Sequence, residues 1–181
     1  MHLALPPVRR VLTAIDDQGR SFIAEDGPSP ARLTSEARPG YCNANLWRTV
    51  GAPAAVLAPD DITQHSGVLP PAGGTVLRVI DFPPQPSDPE EQRRQHAAVF
   101  AGMFQDARHD SANPRHPGMH VTDTIDYAIV LQGDIVAILD QGETLLRAGD
   151  ILVQRGTHHA WANRSQAMAR VAFILIDGQR A

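Results

Sequence analysis

The chain has 181 residues, which suits one domain with a core large enough to fold without disulfides or a structural metal. Hydrophobic residues make up 43% of the chain and charged residues 20%, a balance typical of globular proteins rather than of disordered ones. The formal net charge is -4 and the sequence holds no patch of basic and aromatic residues, so nothing in it indicates nucleic-acid binding.

The single cysteine and the apolar residues of the sequence indicate that the protein has no intrachain disulfide, no signal peptide and no membrane span. Cys42 has no second cysteine to pair with, and we interpret it as a small buried hydrophobic residue. The apolar stretch at the start meets Arg9 and Arg10 too soon to form the core of a signal peptide, and no apolar run is long enough to span a membrane. The sequence therefore predicts a cytoplasmic protein that binds neither nucleic acid nor a membrane.

The first part of the chain, residues 1–86, consists of short apolar runs separated by proline and glycine. We predict strands at residues 8–13, 21–24, 45–50 and 75–82. The first two flank Asp17-Gln18-Gly19, which is typical of a hairpin turn. Residues 53–71 are predicted to form a loop.

One helix is predicted over residues 88–108, and we expect it to lie outside the barrel that the later strands form. Asp88 suits the N-cap, Pro89 suits the first helical position, and the two glutamates that follow favour the positive end of the helix dipole. Apolar residues then fall on one side at helical spacing: Val99, Phe100, Met103, Phe104 and Ala107.

The last part of the chain alternates between strands and glycine turns. Predicted strands cover residues 127–132, 135–140, 144–147, 151–154 and 169–177. The turns between the first four contain Gly133, Gly142 and Gly149. Evenly spaced short strands with such turns are typical of an antiparallel sandwich or barrel.

Residues 118–163 resemble the two sequence motifs of the cupin superfamily. In the first motif, His120 takes the first histidine position, Thr122 the second and Asp126 the glutamate position. In the second motif, which opens at Gly149, His159 and Asn163 match the histidine and the asparagine. The resemblance implies an all-β cupin fold: a double-stranded β-helix, or RmlC-like jelly-roll barrel, with an N-terminal β extension and one helix. Residues 1–86 would pack on the barrel as strands, and residues 87–181 would form the helix and barrel core of the same structural domain.

The resemblance also implies a divalent metal site. Many cupins bind their metal with three histidines and one glutamate from the two motifs. Here His120, Asp126 and His159 would bind iron, zinc, manganese or nickel through two imidazoles and one carboxylate. Thr122 supplies no imidazole, and an aspartate is one methylene shorter than a glutamate. A pocket without metal is therefore the alternative.

Strand periodicity places Asp126 on one face with Ala128 and Val130. Both faces of this strand are apolar, which predicts burial on both sides. A buried carboxylate then needs a partner, and an ion pair with Arg155 is the alternative to a metal. Trp161, two residues after His159, is a predicted pocket wall. We assign Thr122, Arg155 and Trp161 to substrate binding.

Three functions are compatible with these features, because a fold does not determine an activity. The first is a metal-dependent oxidoreductase, a dioxygenase, acting on a small organic substrate. The second is a non-catalytic cupin that binds a metabolite. The third is a metal-free isomerase or epimerase in which histidine acts as acid and base. We also expect a homodimer paired through residues 8–13 and 75–82, since pairing would cover unpaired strand edges.

Overall fold

The computed structural model describes residues 4–180, and these form two antiparallel sheets, a separate hairpin and one α-helix. The elements follow in this order: β1 (Arg9–Ile15), β2 (Ser21–Pro28), β3 (Ala31–Thr34), β4 (Cys42–Thr49), a 3-10 turn (Ile62–Gln64), β5 (Thr75–Phe82), α1 (Pro89–Met103), β6 (Arg108–His109), β7 (His120–Val121), β8 (Thr124–Gln132), β9 (Asp134–Leu139), β10 (Glu143–Arg147), β11 (Ile151–Arg155), β12 (His159–Ala162) and β13 (Ala169–Asp177).

The two sheets have the topology of a jelly roll. One has six strands in the order β11-β8-β13-β5-β4-β3, and the other has five in the order β10-β9-β12-β7-β6. From β7 onward the chain crosses repeatedly between them, so that β8, β11 and β13 join the larger sheet and the strands between them join the smaller. The all-β double-stranded β-helix expected from the sequence is confirmed.

The core lies between the sheets and decides which face of each strand is buried. Ala128 and Val130 of β8 meet Ile135 and Trp161 of the smaller sheet in one apolar cluster. The opposite face of β8 is open: Tyr127, for example, is 40% exposed. The prediction that this strand is buried on both sides is therefore wrong. The N-terminal strands β3–β5 extend the sheet sideways and do not cover its outer face.

Strand β5 lies in the middle of the larger sheet, between β13 and β4. Its eight residues all pair with β13, and Arg170 of β13 forms a salt bridge with Asp81 at 2.6 Å. Residues 75–82 are thus unavailable for pairing with a second copy, and that part of the dimer expectation is wrong. The β1–β2 hairpin forms a two-stranded sheet of its own. Buried Arg10 anchors it by pairing with Glu25 and Asp60.

Helix α1 begins as predicted, with the Asp88 carboxylate accepting a hydrogen bond from the Glu90 amide at 3.1 Å. It ends earlier than predicted, because Phe104 leaves the helical conformation and residues 108–109 form β6. The buried side includes Val99 and Phe100, which join the core. Within residues 4–180, no helix has both the length and the hydropathy needed to cross a membrane.

We propose that two copies associate through the exposed apolar side of the β1–β2 hairpin, where Val11, Ile15 and Ile23 are 43%, 55% and 63% exposed. Light scattering should give twice the chain mass of 19.6 kDa. Ile23→Glu should give the single mass, because it places a charge in the contact. Ile125→Glu, on the outer face of β8, is the matched control and should remain dimeric. A single mass for the unmodified chain over a wide concentration range would refute the proposal.

Candidate functional site

An interior cavity of about 70 Å³ lies between the two sheets and under helix α1. Its apolar wall is mainly aromatic and includes Phe82, Phe100, Phe104, Trp161 and Phe173. Its polar and titratable side chains are Arg38, Tyr41, Arg78, His96, His120, Asp126 and His159. A concave, largely apolar space with a few polar groups is the usual form of a small-molecule site.

Two of the predicted site residues, His120 and His159, lie side by side. They are direct partners across the antiparallel pair β7–β12, and their ring centroids are 4.3 Å apart. The Nδ1 atom of His120 is 2.9 Å from the Gly118 carbonyl, and that of His159 is 2.9 Å from the Thr157 carbonyl. Because a carbonyl oxygen only accepts hydrogen bonds, each Nδ1 must carry the proton.

Both imidazoles are neutral at pH 7. Burial lowers the pKa of His159 to about 4, although its bond to Thr157 acts in the opposite direction. Burial, with the neighbouring His159, lowers the pKa of His120 well below its ordinary value. With a proton on Nδ1, each ring keeps a free lone pair on Nε2, and no residue within 4–180 donates a hydrogen bond to that atom. Such an atom can accept a proton or bind a metal.

Gly118 is where helix α1 meets the histidine pair. A Cβ atom at this position would lie 2.7 Å from Nδ1 of His96, a helix residue that also lines the cavity. Only a residue without a side chain allows the helix to pack this closely. The carbonyl of the same glycine accepts the hydrogen bond that orients His120, so Gly118 serves both helix packing and ring orientation.

Asp126 lines the cavity from β8, in the sheet opposite the two histidines. Burial raises its pKa to about 6, against the lowering effects of the Thr124 hydroxyl and the positive charge of Arg78. One carboxylate oxygen, Oδ1, is buried without a hydrogen-bond partner among the described residues. The expected ion pair with Arg155 is absent, because Arg155 is exposed on β11; Arg78 of β5 acts on the Asp126 carboxylate through its charge, without a salt bridge between them.

The predicted metal ligands fit a divalent ion only in part. The two imidazoles present free Nε2 atoms to one cavity, which suits two positions in a coordination shell. Within residues 4–180, however, no group of three histidine, cysteine, aspartate or glutamate side chains is arranged to bind an ion. Asp126 therefore does not complete a three-ligand centre in this arrangement.

A third histidine, His109, continues the row across the smaller sheet, because it is the strand partner of His120. Its Nε2 atom donates to the Pro117 carbonyl at 2.7 Å, and its ring stacks on Phe100 at 3.8 Å between centroids. The ring therefore supports the cavity wall and offers no free Nε2 lone pair. Sequence analysis gave no reason to single out this residue.

The structure separates the other predicted site residues. Trp161 lines the cavity, with its ring centroid 5.9 Å from that of His159. Thr122 and Arg155 are not among the cavity-lining residues. The Thr122 hydroxyl is buried and hydrogen-bonds to Thr124 at 2.8 Å, whereas Arg155 lies beside a surface groove. The Asn163 side chain donates to the carbonyls of Phe82 and Ala167, so this motif residue joins two segments of the barrel.

Four cavity residues were not predicted from the sequence: Arg38, Tyr41, Arg78 and His96. Arg78 left a readable signal, because it occupies an inward position of β5 between the buried Val76 and Ile80. A lone arginine on the apolar face of a strand is unusual, since arginine is rarely fully buried. Arg38 lies in the loop before β4, where no periodicity indicates the direction of a side chain.

No protein-family model matches the sequence. The chain is 39% identical to oryzines biosynthesis cluster protein J of Aspergillus oryzae, over 96% of this chain and 85% of that protein. It is 32% identical to phomopsin biosynthesis cluster protein C' of Diaporthe leptostromiformis over 74% of this chain. It spans only 59% of that relative's length. It is 27% identical to a cupin-domain-containing oxidoreductase of Neurospora crassa, over 96% of this chain and 76% of that protein.

Two solved structures are also similar. A cupin 2 conserved barrel domain protein from Salinispora arenicola has a TM-score of 0.43 and 14% identity, over 80% of this chain and 82% of that one. A putative ethanolamine utilization protein from Salmonella typhimurium has a TM-score of 0.45 and 8% identity, over 96% of this chain and 99% of that one.

The raised pKa of Asp126 predicts a specific dependence of stability on pH. Its folded pKa of about 6 lies above the ordinary value of 3.8, so stability falls as pH rises through this interval. Asp126→Asn removes the buried charge and should raise the free energy of unfolding by about 3 kcal/mol at pH 8. The gain should shrink to about half at pH 5. Urea unfolding at the two pH values measures both.

Asp123→Asn is the matched control. This carboxylate is partly exposed and pairs with Arg108 and Arg180, which hold its pKa below the ordinary value. Its replacement should not stabilise the protein at pH 8. An equal gain in the free energy of unfolding from Asp126→Asn at both pH values would contradict a buried Asp126 carboxyl with a raised pKa.

Proposed function

The chain belongs to the cupin superfamily, and we propose that it is an oxidoreductase acting on a small organic molecule in the interior cavity. Relatives at 27% identity are named cupin-domain-containing oxidoreductases. Relatives at 32% and 39% identity are named for the phomopsin and oryzines biosynthesis clusters. These names support a redox step in the assembly of a small molecule.

The observation on which the proposal rests is the histidine pair in a shielded cavity. Oxidation of a C–H or O–H group removes a proton together with the electrons. The Nε2 atoms of His120 and His159 are unprotonated, and the two rings line the cavity with centroids 4.3 Å apart, so either ring can accept that proton. No side chain that lines the cavity accepts electrons, so we propose dioxygen as the oxidant: a substrate that loses two hydrogens transfers two electrons and two protons to it, and hydrogen peroxide leaves.

The finer form of the proposal is a metal-dependent dioxygenase that uses iron, zinc, manganese or nickel. It requires Asp126 to join His120 and His159, which supply two donors. A bound metal would polarise the substrate or activate oxygen. This ligand set stays a prediction. It predicts that the purified wild type contains metal and that the His159→Ala and Asp126→Asn variants do not.

One observation favours a second candidate, a metal-free isomerase or epimerase. The cavity holds an acid and a base on opposite sheets: Asp126, with a pKa of about 6, faces two neutral imidazoles. Proton removal by a histidine and return by the carboxylic acid would invert or shift a centre without any oxidant. The two candidates differ in the mass of the product.

We therefore predict that the mass of a metabolite changes when the protein is incubated with a small-molecule extract of the organism that produces it. Under air, at least one metabolite should be consumed and a product should appear that has lost two hydrogens or gained oxygen. His159→Ala should reduce the rate about 100-fold or more, because a positioned acid–base group contributes a factor of this size. Mass spectrometry of the extract before and after incubation is the measurement, with and without added Fe(II), Mn(II), Ni(II) or Zn(II).

His158→Ala is the control for the histidine variant. His158 is adjacent in sequence but bonds to Asp140 at 2.9 Å and does not line the cavity. This variant should retain the wild-type rate. A product of unchanged mass would contradict the oxidoreductase proposal and support the isomerase. The absence of a product under every condition would contradict both and support a cupin that only binds a metabolite.

A further inference from the structure

Three arginines within residues 4–180 are buried, and their electrostatic partners differ. Arg10, which anchors the hairpin, contacts the carboxylates of Glu25 and Asp60. Arg38 and Arg78 instead line the interior cavity, and neither forms a salt bridge with a described carboxylate. A buried cation without an anion is costly, so these two need an explanation that Arg10 does not.

Arg38 has no anion near it in the described chain. It is 3% exposed, and its guanidinium lies 4.9 Å from the centre of the Tyr41 ring. Burial raises the pKa of Tyr41 to about 12. The other titratable groups that feel its charge are His96 and His116, and burial lowers their pKa values to about 2 and about 4. All three neighbours are therefore neutral at pH 7, while an arginine remains charged.

Arg78 is held by neutral groups. It donates to the Val68 carbonyl at 2.9 Å and contacts the ring of His65, and its Nε atom has no partner within residues 4–180. Burial lowers its pKa to about 10, so it too remains charged. Asp106 and Asp126 support that charge from a distance only. The Asp106 carboxylate is already engaged by backbone amides of the loop at residues 67–69.

The two guanidinium groups belong to side chains that line the same cavity. The Arg38 guanidinium lies 4.9 Å from the centre of the Tyr41 ring, and the Arg78 guanidinium lies 5.6 Å from the centre of the Phe104 ring. Even with Asp126 ionised, the lining of the cavity keeps one positive charge in excess. The rest of the wall is mostly aromatic and aliphatic, and the histidine pair is part of it. The cavity thus combines two buried cations with a largely apolar wall.

We propose that the ligand of this cavity is a small organic acid, with its carboxylate bound by Arg38 and Arg78 and its apolar body against the aromatic wall. Guanidinium groups bind carboxylates through charge-assisted hydrogen bonds. A single negative charge balances the excess of one, whereas a doubly charged phosphate would over-compensate it. The volume of about 70 Å³ restricts the acid to a small one. This assignment names the substrate class of the proposed oxidoreductase and rests on that function for its catalytic meaning.

Calorimetric titration of the full chain with matched probes tests the proposal. Acetate and propanoate are the acids, and acetamide and propanamide are their neutral counterparts of similar shape. Each acid should bind about 10- to 100-fold more tightly than its amide, the range expected for charged hydrogen bonds. Inorganic phosphate should not compete. Equal affinity for acid and amide, preferential binding of phosphate, or no binding of any probe would overturn the proposal.

The arginine variants locate the binding groups. Arg38→Met should reduce acid affinity about tenfold or more and leave amide affinity unchanged, and Arg38→Lys should restore part of the loss. Arg38→Met should also keep or raise the melting temperature, because it removes an unpaired buried charge. Arg10→Met is the control: it should lower the melting temperature and leave acid affinity unchanged. Wild-type acid affinity in Arg38→Met would refute the assignment even if Arg78→Met fails to fold.

The titration separates this proposal from the proposed function, because binding requires no turnover. An acid preference that Arg38→Met abolishes, in a protein that changes no metabolite, would support the acid site and contradict the oxidoreductase. Turnover of a neutral metabolite by a protein without any acid preference would support the oxidoreductase and contradict the acid site.

Discussion

The site depends on the hydrogen bonds that two imidazoles donate to backbone carbonyls two residues earlier in the chain. These bonds place the proton on Nδ1 of His120 and of His159 and leave both Nε2 atoms free. Strand pairing between β7 and β12 then brings the rings to 4.3 Å. Two imidazolium ions at this distance in a buried cavity would repel each other strongly, so neutrality of the pair is built into the fold.

The same cavity concentrates groups that prefer water. Two guanidinium groups, a carboxyl and three imidazoles share a small apolar space. Their burial opposes folding, and the surrounding structure must offset it. The central strand β5, paired along its whole length with β13, and the apolar cluster between the sheets provide that stability. Buried groups with shifted pKa values in one cleft are typical of functional sites, and here they define a polarised cavity.

The sequence predicted the parts of this arrangement that follow local rules. The jelly roll followed from evenly spaced strands and glycine turns. His120, Asp126 and His159 were predicted from the motif positions and Trp161 from its spacing of two residues after His159, and all four line the cavity. The rest is set by tertiary structure. Alternation does not distinguish a covered strand face from an open one, so the outer face of β8 was assigned wrongly.

The arginines show the same limit. Arg78 could have been found from its inward position in an apolar strand, whereas Arg38 projects from a loop whose course depends on distant packing. The helix was found from its cap, but its end at Met103 depends on Phe104 turning into the core. Local patterns thus located the histidines, and only the folded chain shows that two unpaired cations accompany them.

The central claim is that both histidines are neutral and protonated on Nδ1. Nitrogen-15 NMR of the two rings tests it most directly, because the chemical shifts of Nδ1 and Nε2 distinguish the two tautomers from the imidazolium ion. Spectra of the wild type, assigned with His120→Gln and His159→Gln, should show a protonated Nδ1 and an unprotonated Nε2 in both rings from pH 6 to pH 8, in line with pKa values far below that range. A proton on Nε2, or an imidazolium signal in this interval, would contradict the account.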